Sequence, residues 1–341
     1  MCRLSVIIPV YNAAAFLPAC FDCLRGQTVF DRTEWLLVDD GSTDGSAQLC
    51  DDFAARHDNV TALHQPNGGV SAARNLGLAR AGGAYVGFMD ADDFVDSDYY
   101  ESLLTAAEQT DSDFAFGGMT FDRAEGRRPQ PLFLPAGTIL ENEEITRQFA
   151  RKMLTNGLQN SVCCKVIRRA IVAEHGLQFP QGIRIAEDKI FVLRLLPFCR
   201  RIVSVDAVGY YYRDVATSAM HSAQKMEAML AADETEARLF CALGLDEQTV
   251  REQKAVYLFD EFADYLQRAL HVSRRCAKEA IETGFANGEL MAKIDRGLPF
   301  VRANSGRIHA LLAAALQKRS VLQTLAVLTL QKRINDRGRP A

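Results

Sequence analysis

The first hundred residues alternate between short apolar runs and segments with apolar residues at helical spacing. The runs are rich in Val, Ile and Leu, which is typical of strands buried on both faces. Because strand and helix alternate, we expect a right-handed, mostly parallel sheet flanked by helices. The expected strands are 3–10, 34–38, 59–63 and 85–89, and the expected helices are about 14–25, 46–56 and 70–80.

A polar turn follows each expected strand at its carboxyl end. The turns are 9–12, 39–44, 67–75 and 90–93. Carboxyl ends of parallel strands meet at one edge, where open α/β sheets bind their ligands, so the pattern predicts a nucleotide crevice. A GxGxxG fingerprint after the first strand and a Walker A motif are both missing, which argues against an NAD-dependent enzyme and a P-loop protein.

The turn after the fourth strand carries three carboxylates, Asp90, Asp92 and Asp93. A bend could turn Asp90 and Asp92 toward one point, where a divalent, oxygen-seeking cation such as Mg²⁺ or Mn²⁺ would relieve their repulsion. The stretch could equally be a solvated acidic turn or a helix cap, with Asp93 or Asp96 capping the helix that follows. Both interpretations stay open on these residues alone.

The second half of the chain changes from a mixed strand-and-helix pattern to a helical one. A further strand is expected from Asp113, a helix over 143–154 and an aromatic strand over 210–213. Beyond residue 220 apolar residues recur at helical spacing over 225–243, 246–273 and 278–292, with Gly284 as a plausible break. The basic tail, with apolar blocks at 308–316 and 321–330, either packs on the domain or lies on an anionic membrane surface, which we slightly favour.

Composition narrows the class of protein. At 341 residues, 48% hydrophobic and 24% charged, the chain is an ordinary globular sequence of about two domains. A net charge of −4 gives no basic field that would attract nucleic acid. No apolar run reaches the length of a membrane span. Scattered cysteines and the absence of a signal-peptide pattern predict a reduced, cytoplasmic protein, peripheral on the inner face of the membrane if the tail binds lipid.

The four turns, in this order, resemble the motifs of a known protein family. Residues 5–12, 38–44, 67–75 and 90–93 resemble the successive motifs of glycosyltransferase family 2, and Glu187-Asp188 resembles the acceptor-side motif of that family. The resemblance implies a GT-A fold, a Rossmann-like, mostly parallel sheet flanked by helices, here with a C-terminal helical extension. The expected GT-A domain is 1–220, with a nucleotide-sugar-binding half (1–110) and an acceptor-side half (111–220); residues 221–341 would form the helical region with its amphipathic basic tail.

The resemblance also implies an activity. The chain would be a metal-dependent, inverting glycosyltransferase that moves a sugar from a nucleoside-diphosphate donor, a UDP-sugar in our prediction, to a hydroxyl of a glycan or lipid-linked glycan acceptor in surface-polysaccharide biosynthesis. A processive synthase is disfavoured, because a QxxRW motif is missing and Trp35 is the only tryptophan.

Residue roles follow from the same resemblance. Asp188 would be the catalytic base, although a carboxylate at a helix start is often a cap or a dipole partner. Asp40 would hydrogen-bond the base of the nucleotide, and Arg74 would lie near the diphosphate. The remaining implied donor-binding residues are Pro9, Tyr11, Asn67, Asp90 and Glu187. The implied metal ligands, with Mn²⁺ or Mg²⁺ as cofactor, are Asp92, Asp90, Asp93 and His221, the last of which is more often structural in such a position.

Two rival hypotheses remain from the sequence. A sugar nucleotidyltransferase would want a glycine-rich, arginine-containing loop after the first strand, and residues 9–12 are not such a loop. A nucleotide-sugar-binding module without catalysis would not need both the acidic turn and Glu187-Asp188. Release of nucleoside diphosphate from a donor would separate the three hypotheses.

Overall fold

The computed structural model describes residues 2–123, 126–130, 132–155, 160–213, 225–304 and 306–337. The chain divides into two compact units, Met1–Leu243 and Gly244–Ala341. The first unit is α/β and the second is helical. Gly244, whose φ of +86° favours glycine, separates the last helix of the first unit from the helices of the second.

The strands of the first unit form two sheets. In chain order they are β1 (Leu4–Val10), β2 (Thr33–Asp39), β3 (Val60–His64), β4 (Tyr85–Phe88), β5 (Phe94–Val95), β6 (Phe114–Phe116), β7 (Met119–Arg123), β8 (Gly126–Gln130), β9 (Ile139–Glu141), β10 (Lys165–Arg168), β11 (Arg201–Ser204) and β12 (Tyr210–Arg213). The larger sheet has the order β3-β2-β1-β4-β10-β6-β11-β9, and the smaller has the order β5-β12-β7-β8.

The first half of the large sheet is the predicted parallel one. β1 pairs in parallel with β2 and β4, and β2 with β3. β10 then enters antiparallel between β4 and β6, a feature that the alternation of strand and helix does not predict. The side chains of β4 and the following Met89 are all buried, as expected of a strand covered on both faces.

Helices cover both faces of this sheet. In the first unit they are α1 (Leu17–Arg25), α2 (Ser46–Ala54), α3 (Val70–Arg80), α4 (Tyr99–Gln109), α5 (Arg151–Thr155), α6 (Arg169–Glu174), α7 (Glu187–Leu195) and α8 (Lys225–Ala242), with a π-helical turn at Ile145–Ala150 before α5. α3 lies close against β1, because Gly77 has no side chain and a Cβ there would collide with Ile7. Phe179 stacks on Phe191 and meets Phe88 edge-on, which packs α7 beside β4.

The second unit consists of helices in its described residues. They are α9 (Glu247–Val272), α10 (Arg274–Ala286), α11 (Gly288–Asn304), α12 (Arg307–Gln317) and α13 (Val321–Arg337). None of the described helices is both long and apolar enough to cross a bilayer.

The prediction that Gly284 breaks a helix is wrong. Gly284 lies inside α10, and the chain turns instead at Asn287 before α11 begins. The glycine is needed for packing, because a Cβ at this position would collide with the ring of Phe262 on α9. A glycine inside a helical pattern therefore marks close helix–helix contact here rather than a helix end.

Candidate active site

The turns after β1 and β2 are joined by hydrogen bonds. Asn12, in the left-handed region at φ 48°, accepts a bond from the Thr43 backbone N–H at 2.8 Å and donates its own N–H to Ser42 Oγ at 3.0 Å. Asp44 accepts from the Ala14 N–H. The polar residues of the second turn therefore fix the first turn, which needs no glycine-rich motif of its own.

Asp40 joins the turn after β2 to the loop before α3. Its buried carboxylate accepts bonds from the backbone N–H groups of Gly68 and Gly69, both at 2.8 Å, and from Gln65 Nε2 at 2.7 Å. Gly69 has φ +84° and ψ 166°, a region open essentially to glycine alone. Asp40 thus holds the start of α3 in place, and its expected contact with the nucleotide base stays a prediction.

The acidic turn after β4 is anchored from β12. Asp93 is buried and uses both carboxylate oxygens: Tyr210 donates its hydroxyl to Oδ2 at 2.7 Å, and the Arg213 N–H donates to Oδ1 at 2.8 Å. The Tyr210 hydroxyl also accepts the Asp90 N–H at 3.2 Å. Asp90 and Asp92 remain partly exposed at the surface of the same turn.

Arg74 connects the acidic turn to the start of α7. Its side chain is only 3% exposed. Nη2 donates to Asp90 Oδ1 at 3.0 Å, while Nη1 donates to Glu187 Oε1 at 2.9 Å and to Asp188 Oδ1 at 2.6 Å. One guanidinium therefore gathers carboxylates from positions 90, 187 and 188, which lie far apart in the sequence.

Asp188 has a second set of donors on its other oxygen. Ser161 Oγ and the Val162 backbone N–H both donate to Oδ2, each at 3.1 Å. Ser161 in turn accepts the Cys163 N–H and so caps a short helical turn, and the fully buried Lys165 donates Nζ to the Ser161 carbonyl at 2.6 Å. These contacts fix the orientation of the Asp188 carboxylate.

Three carboxylates of the site, Asp92, Asp93 and Glu187, have raised pKa values. Burial, and then repulsion by Asp188, raises the pKa of Glu187 to about 7 against the attraction of Arg74. Burial and the neighbouring Asp90 raise the pKa of Asp92 to about 6. Burial likewise raises the pKa of Asp93 well above its usual range. These raised values show that burial and mutual repulsion outweigh the attraction of the nearby cations at these three carboxylates.

The first turn of α7 begins at a strained residue. Ala186 precedes the helix at φ 71°, in the left-handed region that a residue with a Cβ rarely adopts. This conformation places Glu187 and Asp188 in the first helical turn, where the helix dipole favours negative charge. Such strain persists only where surrounding contacts impose it, and here Arg74 and Ser161 supply them.

The remaining predicted residues line the same edge or lie outside the described residues. Pro9 is half-buried at the end of β1, Tyr11 is 54% exposed, and Asn67 is exposed. His221 lies outside the described residues, so the structure says nothing of it. Sequence analysis placed Ser161, Val162 and Lys165 only in the acceptor-side half and gave none of them an individual role, because a serine, a backbone amide and a lysine in a short apolar segment carry no recognisable signal.

The acidic turn suits a divalent cation that also binds phosphate. Among the residues that the structure describes, no three His, Cys, Asp or Glu side chains form a metal-binding cluster. Asp92 and the Oδ2 atom of Asp90, which has no donor in the described part of the chain, offer hard oxygen ligands, whereas each oxygen of the buried Asp93 already accepts one hydrogen bond. Mg²⁺ is commonly held by one or two carboxylates with substrate phosphates completing the shell, and this donor set fits that pattern.

The fold is of the GT-A type. The family model for Glycosyl transferase family 2 matches residues 5–176. The chain belongs to this family.

Individual relatives agree with this assignment. The chain is 35% identical over 210 residues to "Uncharacterized glycosyltransferase EpsJ" of Bacillus subtilis, covering 62% of this chain and 60% of that protein. It is 28% identical over 214 residues to "Poly(ribitol-phosphate) beta-glucosyltransferase" of Bacillus spizizenii, covering 62% of this chain and 32% of that protein. The crystal structure of S. aureus TarS 1-349 in complex with UDP superposes with a TM-score of 0.64 at 20% identity, covering 97% of this chain and 91% of that chain, which shows a shared fold.

Proposed function

We propose that this protein is a metal-dependent, inverting glycosyltransferase that uses a UDP-sugar and acts in the biosynthesis of a surface polysaccharide. The observation that carries the proposal is the bridge made by Arg74. The guanidinium of Arg74 binds both Asp188, the expected base, and Asp90 in the acidic turn, so the two carboxylates lie on either side of one group. Direct displacement needs these two parts, a site for the leaving diphosphate and a proton acceptor for the attacking hydroxyl, in one cleft.

The contacts of Asp188 indicate which of its atoms would accept the proton. Ser161 and Val162 occupy Oδ2 with two donors, whereas Arg74 supplies a single donor to Oδ1. A carboxylate oxygen has two lone pairs, so Oδ1 keeps one for the acceptor hydroxyl. In the proposed step Oδ1 takes the hydroxyl proton, the hydroxyl oxygen bonds to the anomeric carbon, and the bond from that carbon to the diphosphate breaks with its electron pair on the diphosphate. A single displacement of this kind inverts the anomeric centre.

Glu187 and Asp92 would have different parts in the site. Glu187, with its pKa raised to about 7, carries only a partial charge at neutral pH and so limits repulsion near the diphosphate. Asp92, with Asp90 Oδ2, would hold Mn²⁺ or Mg²⁺, which when bound supplies Lewis-acid stabilisation of the departing diphosphate. Arg74 keeps Asp90 and Asp188 at a fixed separation while donor and acceptor bind. Asp93 would position the acidic turn through its hydrogen bonds to Tyr210 and Arg213.

The choice of donor and pathway has support from relatives. The TarS structure contains UDP, and the B. spizizenii relative is named as acting on poly(ribitol-phosphate), which supports a UDP-sugar and a surface polymer for this chain. We further propose a cytoplasmic location, where nucleotide sugars would be available to the exposed edge that carries Tyr11 and Asn67. Donor recognition would involve these residues with Pro9 and Asp40.

A donor panel tests the proposal directly. The full chain is incubated with UDP- and GDP-sugars, with Mn²⁺ or with a chelator, and nucleoside diphosphate release is followed. We expect release from one or a few UDP-sugars that the chelator abolishes, and NMR of the product should reveal an inverted anomeric centre. Release of pyrophosphate from a nucleoside triphosphate and a sugar phosphate would instead identify a nucleotidyltransferase. Donor binding by thermal shift without any release would identify a binding module.

A further inference from the structure

The outer face of α13 is a stripe of exposed apolar side chains. Leu322, Ala326, Leu330 and Ile334 follow one another at four-residue spacing and so share one side of the helix. Leu322 is 78% exposed, Leu330 45% and Ile334 49%. The helix packs within its own unit through the opposite side, which carries the buried residues Thr324, Leu325 and Leu328.

The sequence around this stripe is predominantly basic, and Asp336 is the one acidic residue of α13. No acidic residue occurs between Asp295 and Asp336, and all other acidic residues of the helical unit precede this interval. Arg333 is exposed and lies eleven positions after Leu322, which at about 100° per residue places it about 20° away around the helix. The basic residues of the interval are Arg296, Arg302, Arg307, Lys318, Arg319, Lys332 and Arg333. Among them, Arg319 already pairs with Asp295 at 2.8 Å.

We propose that this apolar stripe of α13, with its basic border, binds the surface of an anionic lipid bilayer, with the helix lying in the plane of the interface. A helix with aliphatic residues on one face and cations beside them inserts its apolar side among the acyl chains while its cations meet the lipid phosphates. No spanning segment is involved. The inference concerns the helical unit alone and does not depend on the proposed chemistry of the site.

Two other occupants fit the surface less well. A soluble polyanion would satisfy Arg333 and Lys332 but would leave Leu322, the most exposed large apolar residue of the stripe, in water. A second copy of this chain could cover the leucines, but it would bring no excess of anionic groups to Lys332 and Arg333, because Asp336 is the one acidic residue of α13. A lipid surface provides both an apolar phase and anionic groups.

The experiment is flotation of the full chain with vesicles of phosphatidylcholine alone or of phosphatidylcholine mixed with phosphatidylglycerol. We expect binding to the anionic vesicles only, weakened by added salt. Leu322→Gln and Leu330→Gln should each weaken it at least about tenfold. Arg333→Gln should weaken it about fivefold, the effect of one cation near an anionic surface.

The matched control is Val272→Gln at the end of α9. Val272 is 77% exposed, nearly the same as Leu322. It lies five residues beyond Gln267, which contacts α13, and therefore about 140° away around α9. Val272→Gln should leave vesicle binding unchanged, and circular dichroism should confirm that all four variants keep the helical content of the parent.

Four outcomes of these experiments would overturn the inference. Absence of the parent chain from the floating fraction would remove it outright, and an equal loss with Val272→Gln would show that the stripe is not the contact. Binding to a soluble polyphosphate that survives Leu322→Gln would assign the surface to polyanions. Concentration-dependent dimers that Leu322→Gln dissociates, without vesicle binding, would assign it to self-association. Because no sugar transfer is measured, these results are separate from the fate of the proposed activity.

Discussion

Replacing Arg74 by methionine tests how the site is held together. Methionine keeps an apolar stem of similar length but removes the guanidinium that Asp90, Glu187 and Asp188 share. Arg74 is 3% exposed, and Glu187 and Asp188 are 13% and 17% exposed, so water replaces the lost donors poorly. Removing one partner of a buried ion pair costs about 3–5 kcal/mol in the free energy of unfolding. We expect a loss of this size for Arg74→Met at pH 8.

The loss should depend on pH in a definite direction. The pKa of Glu187 in the folded protein is already raised from 4.5 to about 7. Without Arg74 the pKa of Glu187 in the folded protein rises further. A carboxyl group whose pKa is higher in the folded than in the unfolded protein favours folding when it is protonated, below its unfolded pKa. That contribution to the free energy of unfolding is lost as pH rises through the folded pKa. At pH 5 protonation should relieve repulsion among the three carboxylates, and the cost of Arg74→Met should fall to about 1–3 kcal/mol.

The assay is urea unfolding followed by tryptophan fluorescence. Trp35 is the only tryptophan, is fully buried in β2 and belongs to the same unit as the site. Arg32→Met is the matched control, since its pair with Glu101 is exposed and water screens it, so its loss should change stability little. Equal losses for the two variants, or a loss for Arg74→Met that does not change between pH 5 and pH 8, would refute the account of Arg74.

Three further outcomes are expected. Burial and Asp90 raise the pKa of Asp92 from 3.8 to about 6, so the metal-free protein should lose stability as pH rises through this range. Mn²⁺ should therefore raise Tm above pH 6 but not below it. An effect of Mn²⁺ on Tm that does not depend on pH would contradict this. Ser161→Ala should lower kcat about tenfold with unchanged donor affinity, because Asp188 loses one of its orienting donors; unchanged kcat would exclude that role. Gly284→Ala should destabilise the helical unit by about 1–3 kcal/mol, measured by calorimetry, and Phe262→Leu should restore most of it.

Local patterns were sufficient to predict the front half of the fold. The run 85–89 is apolar throughout and 3–10 is apolar apart from Arg3 and Ser5, as expected of strands that are buried on both faces. The polar turns after them were therefore expected at one edge. The bonds that the Thr43 N–H donates to Asn12 and the Gly69 N–H donates to Asp40 hold three of these turns together. Strand ends were displaced by only a residue or so.

Long-range pairing was beyond local patterns. β10 inserts antiparallel beside β4, although its sequence, Lys165–Arg168, contains nothing that specifies a partner or a direction. The sequence suggested that Arg74 lies near a diphosphate. It did not suggest that carboxylates from both halves of the domain, 1–110 and 111–220, would surround this arginine. That arrangement depends on packing of α7 beside β4, which is a property of the assembled core rather than of any motif.

The central claim is that Asp188 takes the proton from the acceptor while the acidic turn holds the donor. The most direct measurement compares Asp188→Asn with the parent chain for donor affinity by calorimetry and for sugar transfer at saturating donor. The account predicts donor affinity within a few-fold of the parent and transfer lowered by about 10²–10⁴-fold, the usual contribution of a general base. Transfer close to that of the parent, with donor affinity intact, would contradict it.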